Sequence, residues 1–338
     1  MSAVYKTKLS KEEFKQYPEK LNELRLLFEQ MGGRGDKPLS KVSIANYVHK
    51  LNKLATLVLK HGFDGDFQWL IKDHDKVIKM LSESNISSKK DYCSPVVKIL
   101  KQLKTDPMII EKYSKCMSSF KDTETNIRKQ NKGSEKDNNN FIDYQEVLQK
   151  INDFKPKDDE ELVYKMILSL YFQNSFVPRN NLITMKFVSD KKKPKDMSDN
   201  FNYIVLDKNR TPVEIIMNHY KSRSTYGKVK FPLLERPKQL VKEYISRFNK
   251  QNGDYLLVMK DDEPFKASNF IDFLGNITQK ILGKRLNINL IRKIQISDYY
   301  KKPHSIDQDE KDAKRYLHST DMHKQYMMID KIVDDNEE

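Results

Sequence analysis

Only two cysteines, Cys93 and Cys116, occur in 338 residues, which excludes a disulfide framework and a Cys-rich zinc site. No run approaches the roughly 18 apolar residues that a membrane-spanning helix needs. No amphipathic basic helix with a broad apolar face stands out to lie on a lipid surface. The opening MSAVYKTKLSKEEF is polar and lacks an apolar h-region, so no secretory signal is expected there and the expected compartment is intracellular and reducing. The glycine cluster GGRGDKP lacks the GKS/T ending of a phosphate loop, and HGFDGDF lacks the remaining ligands of a calcium loop. Both read as turns. No internal repeat is visible, nor an aromatic-rich platform for single-stranded nucleic acid.

What is present is charge. Lys and Arg number 62 against 48 Asp and Glu, a formal net charge of +14, which favours a polyanionic partner, nucleic acid before acidic membrane. Sixteen Phe, seventeen Tyr and regular aliphatic positions are enough to bury a core despite an apolar fraction of 38%.

The pattern divides the chain. Residues 1–37 form a leading helical segment, with Leu21, Leu24, Leu27, Phe28 and Met31 at helical spacing and Pro18 near its start. Residues 38–118 read as a compact helical domain, its longest helix placing Ile44, Tyr47, Val48, Leu51, Leu54, Ala55 and Val58 on one face. Residues 119–140 have two apolar residues, Phe120 and Ile127, and no period, the composition of a linker. From 141 to 338 two helices (the second, DEELVYKMILSLYF, largely apolar and central) precede the short strands NLITMKFV, NYIVLD, VEIIMNHY and GKVKFPL, and further helices follow. Helices, a small antiparallel sheet and helices again make the expected class α+β. The basic loop SDKKKPKDMSDN reads as a solvated turn, with phosphate contact as its second reading.

Four segments of the second half carry candidate chemistry: VPRNNLITMKF with Arg179, HYKSRSTYGKVKFPL with Lys221, NINLIRKIQISDYY with Arg292, and YLHSTDMHKQYMM with His318 and Tyr326. Taken singly, Arg179 also reads as a helix-end charge, Arg292 as a structural arginine and His318 as a surface histidine. Lys228 and Lys230 are rivals of Lys221, and Tyr299, Tyr300 and Tyr316 are rivals of Tyr326. The ordered set resembles the tyrosine recombinases, or phage-type integrases, most of all those of large DNA viruses and mobile elements. In that family an arginine follows the central helix and a lysine lies in the β-hairpin. A second arginine closes an H-x-x-R turn, a "HS" follows, and a nucleophilic tyrosine comes about one short helix later. The resemblance covers roughly 141–338, and more loosely 38–118 as a helical core-binding domain.

The resemblance implies a site-specific recombinase or integrase that cuts and rejoins double-stranded DNA through a 3′-phosphotyrosyl intermediate. It implies a two-domain grip on the duplex and a homotetramer on synapsed DNA, from a monomer or dimer when free. By the same resemblance no metal, cofactor or membrane would be involved, and the location would be wherever the DNA is, host nucleus or cytoplasmic viral factory. Tyr326 would be the nucleophile, Arg179, Arg292 and His318 the phosphorane ligands, and Lys221 the acid for the leaving oxygen. The residue types suit that chemistry independently of the name. Guanidiniums clamp phosphate oxygens bidentately, a lysine in a cationic site is a competent acid, and a tyrosyl ester conserves the bond energy for resealing. Two departures stand out. The H-x-x-R position holds Asn289, which hydrogen-bonds phosphate but takes no proton near neutrality. Asn180, Asn181 and Leu182 follow Arg179 where the family often has an acidic residue. The rival functions are a type IB topoisomerase-like enzyme and a non-catalytic DNA-binding protein on the same scaffold.

Overall fold

The computed structural model describes residues 17–33, 38–84, 89–190, 197–259 and 263–332. Residues 191–196 of the basic loop and 34–37 of the first glycine cluster lie outside the described residues. The chain divides into two compact units, Met1–Lys129 and Gln130–Glu338. Among the described residues no helix is long and apolar enough to cross a membrane.

The first unit is helical: α1 (Pro18–Glu29), α2 (Lys41–Leu59), α3 (Gln68–Lys72), α4 (His74–Glu83), α5 (Lys90–Gln102) and α6 (Pro107–Lys129). Pro18 occupies the first turn of α1, where its missing N–H costs nothing. Ser40 caps α2 by accepting from the Ser43 amide at 3.1 Å. The apolar stripe read in the sequence is the buried one: Ile44, Leu51, Leu54 and Ala55 are buried, and Tyr47, Val48 and Val58 pack at the margin. Leu24 and Phe28 of α1 enter the same core, so the leading helix is part of this unit. The stretch 119–129, a linker by composition, is helical as the last turns of α6. Exposed helices need no apolar period, and here Lys90–Glu124 and Arg128–Glu124 contacts at 2.5 and 3.9 Å accompany the polar turns.

The second unit opens with α7 (Glu135–Asn140), α8 (Tyr144–Asp153) and α9 (Asp159–Phe172), followed by β1 (Met185–Ser189), β2 (Asn202–Leu206) and β3 (Pro212–Met217). Then come α10 (Arg223–Tyr226), β4 (Val229–Pro232), α11 (Glu235–Arg247), α12 (Ala267–Leu282), α13 (Ile288–Tyr299), α14 (Ile306–Arg315) and α15 (Thr320–Lys324). The class is α+β. α9 is the central helix, buried at every position from Lys165 through Phe172, in a core shared with α8, α11, α12 and α13.

The sheet corrects one expectation. Its order is β1-β2-β3-β4, and β2–β3 and β3–β4 are antiparallel, but β1 pairs with β2 in parallel, Met185 opposite Asn202. The sheet is therefore mixed. A parallel pair needs a connection of about a dozen residues or more, and the polar stretch 190–201 is long enough to return the chain to the start of the neighbouring strand. A second difference lies at the C-terminal end. DMHKQYMMI reads as one helix, yet α15 ends at Lys324, and Tyr326 follows it in a turn, its amide donating to the His323 carbonyl at 3.0 Å.

Candidate active site

Four of the six candidate residues meet. Arg179 comes from the loop after α9, Arg292 from the buried face of α13, His318 from the turn after α14, and Tyr326 from the turn after α15. His318 Nε2 lies 3.1 Å from Arg179 Nη2 and 2.8 Å from Arg292 Nη2. Arg179 Nη2 also donates to the Tyr326 hydroxyl at 3.3 Å. The Tyr326 ring packs on the His318 ring with centroids 4.9 Å apart.

Each side chain is held from behind. The backbone of Arg179 is pinned at both ends: its amide donates to Asn181 Oδ1 at 2.9 Å and its carbonyl accepts the Tyr171 hydroxyl. Arg292 is 1% exposed. It donates to the Val177 carbonyl at 3.2 Å and to the Tyr316 carbonyl, and its guanidinium lies 5.2 Å from the centre of the Tyr316 ring. His318 is aimed by the end of α14. The His318 amide donates to the Ala313 carbonyl and the Leu317 amide to the Lys314 carbonyl, both at 3.1 Å, the hydrogen-bond pattern of a Schellman motif. Leu317 takes the left-handed position at φ 55°, where glycine is the usual residue. The Leu317 carbonyl accepts from Ser222 Oγ at 3.2 Å, tying this turn to the one that carries Lys221.

The electrostatics are those of an anion site. Among the described residues no carboxylate pairs with Arg179 or Arg292. Burial, then the neighbouring Arg179 charge, lowers Arg292 to about 10. Burial, then the fields of Arg292 and Arg179, with smaller contributions from His323 and Lys221, lowers His318 to about 2. His318 is therefore neutral. Two guanidinium donors face its Nε2, so that nitrogen carries the lone pair and the ring proton sits on Nδ1.

Lys221 and Asn289 stand apart from this cluster. Lys221 is exposed in the turn between β3 and α10, close enough for its charge to bear on His318. Of its rivals, Lys230 is ion-paired with Glu214 at 3.0 Å across β3–β4, and Lys228 is exposed. Asn289 is exposed on the first turn of α13, three residues before Arg292, with no hydrogen bond to the cluster among the described residues.

The rival tyrosines differ from Tyr326. Burial, followed by the Asp312 and Asp309 carboxylates, pushes Tyr299 up to about 12, and burial followed by Asp309 raises Tyr300. Tyr316 is fully buried, which raises its phenol, and its ring serves as a platform under Arg292. Of the four, Tyr326 alone among the described residues has its hydroxyl on a guanidinium.

The sequence reading missed the residues that shape the turn before Lys221. Buried Asn202 accepts from the Asn218 and His219 amides at 3.0 and 2.9 Å, and donates to the His219 carbonyl and Thr184 Oγ1 at 2.9 and 2.8 Å. Asn181, which holds the Arg179 amide, also reaches the His219 carbonyl at 3.4 Å. An asparagine at the start of an otherwise apolar strand was the one signal available for Asn202.

No family model matches this sequence, and no curated protein matches it. Among solved structures the chain is similar to a XerA recombinase crystal structure, at 13% identity, over 91% of this chain and 92% of that chain, with a TM-score of 0.39. The functional reading rests on the residues described above.

Proposed function

We propose that this protein breaks and rejoins DNA strands through a tyrosyl–phosphate link. The observation that carries the reading is the convergence of Arg179 and Arg292 on the His318 lone pair, with the Tyr326 hydroxyl on Arg179 and, among the described residues, no carboxylate to neutralise either guanidinium. Holding a half-buried guanidinium, Arg179, beside a buried one, Arg292, is unfavourable unless an anion completes the site. A phosphodiester is such an anion, and each guanidinium fork matches two of its oxygens.

In this reading the Tyr326 hydroxyl gives up its proton to hydroxide from solvent, its oxygen attacks phosphorus, the P–O5′ bond breaks, and the 3′-phosphate remains on the tyrosine. Arg179 and Arg292 hold the equatorial oxygens as negative charge builds on them. When phosphate oxygens take the two guanidiniums, the His318 ring proton moves to the freed Nε2, and that N–H donates to an oxygen of the phosphorane. Lys221 delivers a proton to the leaving 5′-oxygen. A 5′-hydroxyl then attacks the phosphotyrosine and restores both groups. Asn289 contributes at most a hydrogen bond to phosphate. The charge needed at phosphorus comes from side chains, so the scheme requires neither metal nor nucleotide. The partner is double-stranded DNA, with site-specific recombination or integration in a homotetramer on synapsed DNA as the particular form of the activity.

The test is a nicked duplex that loses its short 5′-hydroxyl product after cleavage and so traps the intermediate. A denaturant-stable DNA adduct whose peptide maps to Tyr326, absent from Tyr326→Phe, is the expected result. An adduct on Tyr299, Tyr300 or Tyr316 would overturn the assignment, and no adduct on any substrate, with binding intact, would leave only a DNA-binding protein.

A further inference from the structure

Behind the arginine cluster lies a polar chain, buried at His323 and Asp312, that the scheme above does not use. His323, in α15, is 0% exposed. Its Nε2 stands 3.0 Å from Asp312 Oδ2 in α14, at ion-pair distance but off the line of a strong hydrogen bond. The other Asp312 oxygen accepts from Arg315 Nη1 at 2.7 Å. Arg315 in turn donates to the Asn174 and Ser175 carbonyls at 3.2 and 3.3 Å, and its own carbonyl accepts the Val177 amide at 3.1 Å. Burial raises the Asp312 carboxyl, but His323 and Arg315 outweigh that and leave it lowered. The chain thus runs from α15, through α14, into the loop that leads to Arg179.

α15 has five residues, too few to hold a helix by itself. What fixes it is docking, and His323 is its one buried residue. The His323 ring packs against Tyr316, centroids 4.9 Å apart, and its carbonyl receives the Tyr326 amide at 3.0 Å. Downstream, the Met328 amide is anchored on Ser297 Oγ at 2.9 Å. Tyr326 therefore hangs between the Met328 anchor and α15, which is docked by buried His323 and tied to α14 at the surface by Lys324, 3.2 Å from Asp309 Oδ2.

We propose that His323, held by Asp312, is a positioning residue that docks α15 and keeps the Tyr326 hydroxyl on Arg179 before any DNA is bound. Its catalytic consequence rests on the function proposed above; the placement of Tyr326 does not.

The experiment puts 3-fluorotyrosine at position 326 of the full chain and reads it by fluorine NMR, with far-UV circular dichroism as the folding control. The wild type should give one resonance displaced from that of the free amino acid. His323→Leu should move it to the free value and narrow it, while His323→Gln, whose amide nitrogen can stand in for Nε2 beside Asp312, should restore most of the displacement. Should the leucine variant not fold, Asp312→Asn gives the reading, with a partial move in the same direction. An unmoved resonance in a folded His323→Leu, or in Asp312→Asn, overturns the proposal. On DNA, His323→Leu should lower the cleavage rate at saturation by roughly 10²-fold, the cost of about 1 Å of misplacement, with half-saturation unchanged and with rescue by glutamine. A moved resonance with no adduct from the wild type sinks the proposed function and leaves the positioning role standing. An adduct on Tyr326 with an unmoved resonance does the reverse.

Discussion

Arg179 and Arg292 stand on either side of one imidazole, yet replacing them by lysine should have different costs. Arg292 is buried and donates to two backbone carbonyls, Val177 and Tyr316, besides facing His318. Lysine keeps the charge but replaces a planar fork by one ammonium, so at least one of those carbonyls loses its donor. A hydrogen bond from a charged donor contributes about 1.5–3 kcal/mol, and a buried carbonyl left without a partner costs about 1–3 kcal/mol. Allowing for the one bond lysine retains, Arg292→Lys should destabilise the second unit by about 2–4 kcal/mol. At about 2–4 °C per kcal/mol for a unit of this size, the melting temperature should fall by about 5–15 °C. Arg179 is only half-buried, and its guanidinium contacts are His318 and Tyr326, with no carbonyl among them. Arg179→Lys should therefore melt within about 2 °C of the wild type while losing cleavage as severely, by roughly 10²–10³-fold, the usual cost of a lost transition-state donor. Differential scanning calorimetry and single-turnover cleavage of a nicked duplex separate the two effects. An Arg292→Lys variant as stable as wild type would refute the claim that this arginine has a structural share, and near-normal cleavage by both variants would refute the phosphate clamp.

His318 is neutral when folded and ordinary when unfolded, so the unfolded chain alone takes a proton below about pH 6.5; stability is full above that and is lost as pH falls. His318→Gln, which keeps an acceptor for both arginines, should lose less stability than wild type between about pH 6 and pH 4 in urea titrations; equal loss would contradict a buried neutral His318. Lys221→Ala should be slow on ordinary DNA and largely rescued by a 5′-bridging sulfur, which departs without a proton, whereas equal loss on both substrates would shift the acid to Lys228 or Lys230 or leave Lys221 an electrostatic role. Asn289→His should speed cleavage near pH 7 by adding a base with an ordinary value near 6.5; no gain, with a flat wild-type profile there, would show that another group takes the tyrosine proton.

Burial patterns were legible wherever one apolar face decided the element. The stripe on α2 and the continuous apolar run of α9 both emerged as read, because each signal is local. The failures share a cause as well. The polar extension of α6 and the parallel β1–β2 pair depend on partners far along the chain: on α5 in one case, on β2 in the other. Pro95 is similar. PVVKIL reads as the start of a helix, but α5 begins at Lys90 with Pro95 inside it, since buried Tyr92 and Cys93 favour continuing the helix more than one missing N–H opposes it.

The site divides along the same line. Arg179, Arg292, His318 and Tyr326 could be picked out because their order along the chain is a pattern, and the fold brings them within hydrogen-bond or ring contact. Asn202, Asn181, Asp312 and His323 could not, because a polar residue that satisfies groups from other elements leaves no spacing to read. Lys221 and Asn289 are a third kind, flagged by order but exposed at the edge of the cluster. That exposure is consistent with their proposed roles. In the proposed scheme the arginines must be held at fixed separation around a phosphate, and the packing of Arg292 onto Val177 and Tyr316 and the pinned backbone of Arg179 do that without DNA. A proton donor to a leaving group needs no such fixed place until the leaving group is there, and an exposed lysine on a turn tied through Ser222 to the His318 segment can reach the scissile bond from solvent. The arginine cluster is thus preorganised by the fold, while in the proposed scheme the proton-transfer side is completed by the substrate. Variants of the cluster should therefore be defective with every DNA tested, and variants of Lys221 only with those whose leaving oxygen needs a proton.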